Sequence, residues 1–100
     1  MVNIKLVNKG NEALLFLSGR LDANNAPEVG DKLLELSKRF DRIVLDLDKV
    51  PYVSSAGLRA FLLLYHAMGR KGGAFAIQNV RKDVMDVFNV TGFGMLLDFE

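Results

Sequence analysis

Two adjacent serines, Ser54 and Ser55, are the residues of this sequence best placed for chemistry. They lie in Val50-Pro51-Tyr52-Val53-Ser54-Ser55-Ala56-Gly57-Leu58-Arg59, after the apolar run Ile43-Val44-Leu45-Asp46-Leu47-Asp48 and before a helix-like run from Leu58 to Arg70. The hydroxyls therefore stand where a strand hands over to a helix. A helix N-terminus offers unpaired backbone N–H groups and a partial positive charge, and both suit an added anion. Phosphorylation is the chemistry that this placement favours. The plainer reading is a helix cap, because serine is a preferred N-cap anyway.

The remaining polar groups offer less. His66 is the only histidine, and no carboxylate stands at a spacing that suggests a metal site with it. A solvated histidine is the expectation, with no metal and no cofactor. No Gly-x-Ser-x-Gly elbow surrounds either serine. Asp46 and Asp48 share one strand face and could pair for acid–base work, but a strand-end acid usually caps the loop that follows. Asp22 sits in another strand-exit loop, which can approach the same edge of the sheet. Gly10, Gly72-Gly73 and Gly92 read as turn and cap glycines without phosphate-loop spacing. Enzymatic function has weak support.

The elements that must position these groups follow from hydrophobic periodicity. Val2, Ile4 and Leu6 alternate with Asn3 and Lys5, the pattern of a half-buried strand. Lys9-Gly10-Asn11 is a turn, and Ala13 to Leu17 a second, more central strand, so the chain opens with a hairpin. Asn24-Asn25-Ala26-Pro27-Glu28 reads as a helix start, with amide caps, an early proline and an acid in the first turn. Val29, Leu33, Leu36 and Phe40 define its buried stripe. Arg42 to Asp48 is a strand whose apolar run on both faces implies a central place with helices covering it. Gly72-Gly73 ends the second helix, and Ala74 to Ile77 is the next strand. Lys82 to Val90 is a third helix with Val84, Val87 and Phe88 on one face, ended by Thr91-Gly92. Met95 to Phe99 is a last short strand. Helices alternating with strands imply right-handed parallel crossovers. The expected fold is a small mixed α/β sheet led by an antiparallel hairpin.

On the helix after the serines, a period of 3.6 residues puts Leu58, Phe61, Leu62, Tyr65 and Met68 on a broad core side. Arg59, Leu63, His66 and Arg70 fall on the opposite side, with Leu63 an apolar residue in a polar face. A lone exposed leucine is ordinary, yet its place below the serines makes that face a candidate docking surface. Ala56, Ala60 and Ala67 form a stripe of small residues suited to close helix packing.

Composition bounds the function further. One hundred residues make one domain, residues 1–100. Lysine plus arginine outnumber aspartate plus glutamate by 13 to 12, so no strong field draws the chain to nucleic acid or an anionic membrane. The absence of cysteine excludes disulfides and thiol chemistry. Val2 to Lys5 is unlike a signal peptide, and no apolar run suffices for membrane insertion. A soluble cytoplasmic protein is the default expectation.

These residues together resemble the STAS-domain family, specifically the bacterial anti-sigma factor antagonists. Three blocks carry the resemblance: Gly19-Arg20-Leu21-Asp22 with Ala26-Pro27; Ile43-Val44-Leu45-Asp46-Leu47 with Val50; and Tyr52-Val53-Ser54-Ser55-Ala56-Gly57-Leu58. Val90-Thr91-Gly92-Phe93 resembles the family's glycine-marked exit from the third helix. The match spans nearly the whole chain in order, and the serine block is its most specific part.

The resemblance implies a partner-switching cycle. The unphosphorylated antagonist binds an anti-sigma factor and frees a sigma factor for transcription. The anti-sigma factor is typically also a serine kinase, which phosphorylates the antagonist and ends the complex, and a serine phosphatase resets it. The antagonist itself catalyses nothing. The family's acceptor, two residues before the glycine, falls on Ser55, with Ser54 as the alternative. Ser54 stands where the best-known members have aspartate. Partner contacts are expected at Asp22, Ser54, Ser55, Arg59, Leu63 and His66. The family commonly adds a further helix after the last strand. The alternative within the fold is a STAS subunit of a lipid-transport or other multiprotein complex, with the serines as caps and the helix as a permanent docking face.

Overall fold

The computed structural model describes residues 2–100. The hairpin forms as expected: β1 (Asn3–Lys9) pairs antiparallel with β2 (Glu12–Ser18), with Lys9 opposite Glu12 and Leu6 opposite Leu15. Then follow α1 (Ala26–Ser37), β3 (Arg42–Lys49), α2 (Ser55–Arg70), β4 (Ala74–Gln78), α3 (Lys82–Thr91), α4 (Phe93–Leu96) and β5 (Asp98–Phe99). The sheet order is β1-β2-β3-β4-β5, and every pair after the first is parallel.

β3 is central, as its sequence implies, but the helices cover one face of the sheet only. Ala13, Leu15 and Leu17 of β2, Ile43, Leu45 and Leu47 of β3, and Phe75 and Ile77 of β4 form one core with Val29, Leu33 and Leu36 of α1 and Phe61, Leu64 and Met68 of α2. α3 joins on the same side, where Phe88 stacks on Phe61 with centroids 6.2 Å apart and meets Phe99 edge-on. Val44 and Ala76 point the other way and are still buried. Their cover comes from neighbouring strands, since in-register residues such as Leu14, Val44 and Ala76 lie side by side on that face. An apolar residue on each face of a strand therefore did not require a helix on each face.

Three further expectations are corrected. Asn25 occupies the N-cap position of α1 without capping it. Its side chain instead accepts from the Asp22 N–H and donates to the Arg20 carbonyl, closing the loop ahead of the helix. Phe40 is buried, but it lies beyond the end of α1. The run from Met95 is not a strand. Gly92, at φ 86°, ends α3 in the left-handed conformation that glycine readily adopts. The chain then makes the short α4, where Met95 is 95 % exposed, and only Asp98–Phe99 pair with β4.

The exits of β2 and β3 are fastened together just ahead of α2. The Leu21 N–H donates to the Tyr52 carbonyl at 2.9 Å, and the Ser54 N–H donates to the Leu21 carbonyl at 2.8 Å. Leu21 and Val53 thereby form a parallel bridge, with both side chains buried. Gly57, in the first turn of α2, sits directly on it. A Cβ at this position would stand 2.8 Å from Leu21 Cγ and 2.9 Å from Val53 Cγ1. Glycine is what lets the helix begin so close to the bridge. Farther along, Ala60 packs on α1 at Gly30, where a Cβ would meet Ala60 Cβ at 3.4 Å. Of the small-residue stripe, Ala60 is thus the member that makes the expected close helix packing.

Asp46, 5 % exposed, braces the same end of the sheet from the open face. Its Oδ1 accepts from the Asp48 N–H at 3.0 Å, and its Oδ2 accepts from the side-chain amides of Gln78 at 3.0 Å and Asn79 at 2.7 Å. Burial pushes the carboxyl up, but the Asp48 N–H and the Asn79 and Gln78 amides outweigh it and hold it below its ordinary value. Asp46 thus caps its own loop and ties β3 to β4.

Two predictions follow from these fastenings. Gly57→Ala lowers the free energy of urea unfolding by roughly 1–3 kcal/mol through overpacking. Gly69→Ala, where a Cβ would meet nothing within 4 Å, raises it by up to about 1 kcal/mol; equal effects at both sites contradict the close approach. Asp46→Ala leaves three donors without their acceptor and costs roughly 1–3 kcal/mol near neutral pH. Because the folded carboxyl is held low, its stabilisation is full above the unfolded value of about 3.9 and is lost as pH falls through the lower folded value. Urea midpoints of wild type and Asp46→Ala therefore converge on acidification below about pH 3.9, and a constant gap contradicts this role.

Candidate functional site

The two serines differ sharply in their surroundings. Ser54 is half-buried, with extended backbone (φ −80°, ψ 172°), and its Oγ accepts from the Gly57 N–H at 3.2 Å. Its carbonyl accepts the Leu58 N–H at 3.0 Å. Ser54 is the N-cap of α2, and its hydroxyl is engaged inside the turn. Ser55 is the first residue of the helix and is exposed. The first turn of α2 carries no acidic side chain, so its partial positive charge is not offset locally. A phosphate on Ser55 would enter a favourable field, and Arg59, one turn below, is at the spacing of a helical ion pair.

Ser55, Arg59, Leu63 and His66 are all exposed and recur at intervals of three and four, so they line one outward stripe of α2. Leu63 is 43 % exposed. Arg59 and Leu63 also border a shallow groove of about 240 Å³ with Ala26 and Pro27 of α1 and Ala56 and Ala60 of α2. His66, lower on the stripe, packs edge-on against the Tyr65 ring at 5.4 Å. The core side of α2 is rotated from its expected place: Leu64 is fully buried, while Leu62 and Tyr65 are only half-buried.

Asp22 follows the residue that clamps Ser54, and so lies in the loop next to the serines. Its Oδ1 accepts from the backbone N–H groups of Asn24 and Asn25, each at 3.0 Å, and its carbonyl accepts the Ala26 N–H. The half-buried carboxylate therefore builds the loop that leads into α1. Asp46 and Asp48 do not form a catalytic pair, because Asp46 is buried in its own network and Asp48 is exposed.

Two neighbours of the site escaped the sequence reading. Tyr52 is 39 % exposed beside the serines, and the Arg20 guanidinium lies 4.3 Å from its ring centroid. Both residues belong to the blocks that carry the resemblance, but only the Leu21–Val53 bridge brings them together. Ala26 and Pro27 open α1, as their sequence implies, and the fold also makes them the far wall of the groove. No helix among the described residues is long and apolar enough to cross a membrane.

The sequence model of the STAS domain matches residues 3–99. The chain is 24 % identical over 97 residues to the anti-sigma-B factor antagonist of Bacillus subtilis, covering 97 % of this chain and 89 % of that protein. It is 33 % identical over 78 residues to the putative anti-sigma factor antagonist BtrV of Bordetella bronchiseptica, covering 77 % of this chain and 67 % of BtrV. Among solved structures, the unphosphorylated anti-sigma factor antagonist SpoIIAA superposes with a TM-score of 0.83 at 17 % identity, over 98 % of this chain and 88 % of SpoIIAA. The phosphorylated form of Bacillus SpoIIAA gives a TM-score of 0.75 at 16 % identity, over 98 % of this chain and 91 % of that one. With a family match over nearly its whole length, the chain belongs to the STAS-domain family, and the relatives named here are that family's anti-sigma factor antagonists.

Proposed function

We propose that this protein is a phosphorylation-controlled anti-sigma factor antagonist. Unphosphorylated, it binds an anti-sigma factor that is also a serine kinase, and so releases a sigma factor. Phosphorylation of Ser55 by that kinase ends the complex, and a serine phosphatase restores it. The observation that carries this reading is the division of labour between the serines: the Ser54 hydroxyl caps α2, while Ser55 stands exposed at its head. The contact face is the stripe of Ser55, Arg59, Leu63 and His66 with the adjoining groove and the Asp22 loop. That SpoIIAA has an unphosphorylated and a phosphorylated form agrees with a switch of this kind.

The physics fits the direction of the switch. A phosphoserine carries about −1.5 to −2 charges near neutral pH. At the head of α2 the dipole favours it by roughly 0.3–1 kcal/mol, so the fold survives. Buried unpaired in a partner interface, the same charge costs several kcal/mol, roughly a hundredfold or more in affinity.

Incubation with ATP and the anti-sigma kinases of the same organism, read by intact mass, tests the assignment. Wild type and Ser54→Ala each gain one phosphoryl group, and Ser55→Ala gains none. Ser54→Ala also loses about 1 kcal/mol of stability with its cap. Modification of Ser55→Ala but not of Ser54→Ala moves the acceptor to Ser54. No modification and no binding with any of these kinases removes the proposed function.

A further inference from the structure

β1 is an edge strand, with β2 on one side and no strand on the other among the described residues. In an antiparallel pair each strand turns alternate N–H and C=O groups toward its partner, so an edge strand leaves the other half pointing outward. β1 keeps an unbroken register with β2 from Asn3 to Lys9, without a bulge or a proline to spoil its outer edge. Ile4 and Leu6 lie opposite Leu17 and Leu15 and so stand on the helix side of the sheet, with Leu6 36 % exposed. Lys5, opposite Phe16, stands on the other face.

Beside this edge a cleft of about 440 Å³ opens between β1 and α1. Ile4 and the buried Val29 form its apolar floor, and the exposed Glu28, Asp31, Lys32 and Glu35 of α1 form its wall. Among the described residues, none of these four charged groups is held in an ion pair. Three carboxylates against one ammonium leave the wall negative. It lies on the side of α1 away from α2, separate from the Ser55 stripe.

We propose that the β1 edge and this cleft dock an extended basic peptide segment of a partner protein. The segment adds a sixth strand to the sheet, its backbone bonding to the outward groups of β1. Its residues on the helix side alternate between apolar ones laid on Ile4 and Leu6 and lysines or arginines set against Glu28, Asp31 and Glu35. Strand addition of this kind takes affinity from main-chain hydrogen bonds and specificity from alternate side chains. The charge also decides between occupants. A second copy pairing through its own β1 about a two-fold axis would set two negative α1 walls side by side, and like charges disfavour that seam. A basic segment meets the opposite sign.

The probe is a synthetic peptide of eight residues in which alternate positions are threonine and the others alternate lysine and valine. Added to the isotope-labelled full chain, it shifts the amide signals of residues 3–9 and 25–35 and leaves those around Ser55 in place. N-methylation of alternate peptide residues, or the triple change Glu28→Lys, Asp31→Lys and Glu35→Lys, weakens binding by roughly tenfold or more. All three side chains are exposed, so the triple variant keeps its fold, which its own spectrum verifies. Four results overturn the proposal: no shift at β1, equal binding of a peptide with glutamate in place of lysine, binding indifferent to N-methylation, or β1 signals that move with protein concentration alone. The last assigns the edge to a second copy. None of these outcomes bears on Ser55 phosphorylation.

Discussion

The close approach of Gly57 to the Leu21–Val53 bridge is the constraint on which the rest of the structure depends. β2 and β3 are adjacent parallel strands, and the loops that leave them are joined by hydrogen bonds through Leu21. α2 starts directly on this junction, closer than any side chain at position 57 would allow. That start sets the direction of α2, which places Phe61, Leu64 and Met68 in the core and Ala60 against Gly30 of α1. It also fixes the head of the helix at the surface, with Ser54 turned into the cap and Ser55 turned out. The same packing that closes the core therefore presents the candidate acceptor.

This arrangement separates the energetics of the fold from those of the surface. Ser55 is exposed and outside the core, and a negative charge there would meet the unoffset N-terminus of α2 and the nearby Arg59. A partner lying over the stripe and the groove would have to desolvate that charge. The proposed switch needs a modification that the folded chain tolerates and the complex does not, and an exposed first-turn serine beside an apolar groove is placed where a phosphate would meet both conditions. Asp46 contributes from the other face, holding the ends of β3 and β4 where the loop carrying the serines begins.

Much of this was legible in the sequence, for physical reasons that differ by element. The hairpin and the central strand followed from alternation and apolar runs, and a cap followed from serine's preference for the N-cap where a strand hands over to a helix. The second helix was harder, because Leu62, Leu63 and Leu64 are consecutive and periodicity alone cannot say which of them points inward. Gly57 and Ala60 decide it: they let Leu21, Val53 and α1 come close, which turns Leu64 into the core and Leu62 half out of it. The one-sided sheet was hidden because Val44 and Ala76 are buried by neighbouring strands rather than by a helix. The groove and the Arg20–Tyr52 pair join segments far apart in sequence, and no local pattern carries that information.

α1 emerges as a divider between two surfaces of different chemistry, an apolar groove with Arg59 on the α2 side and an acidic, strand-edged cleft on the β1 side. The proposed switch belongs to the first. Its most direct test is to prepare the chain phosphorylated on Ser55 and unphosphorylated, and to measure both urea unfolding and calorimetric binding to the cognate anti-sigma factor. The account predicts unfolding free energies that agree within about 1 kcal/mol, together with a loss of affinity of roughly a hundredfold or more. Equal affinity of the two forms, or a phosphorylated chain that unfolds before it loses its partner, would contradict it.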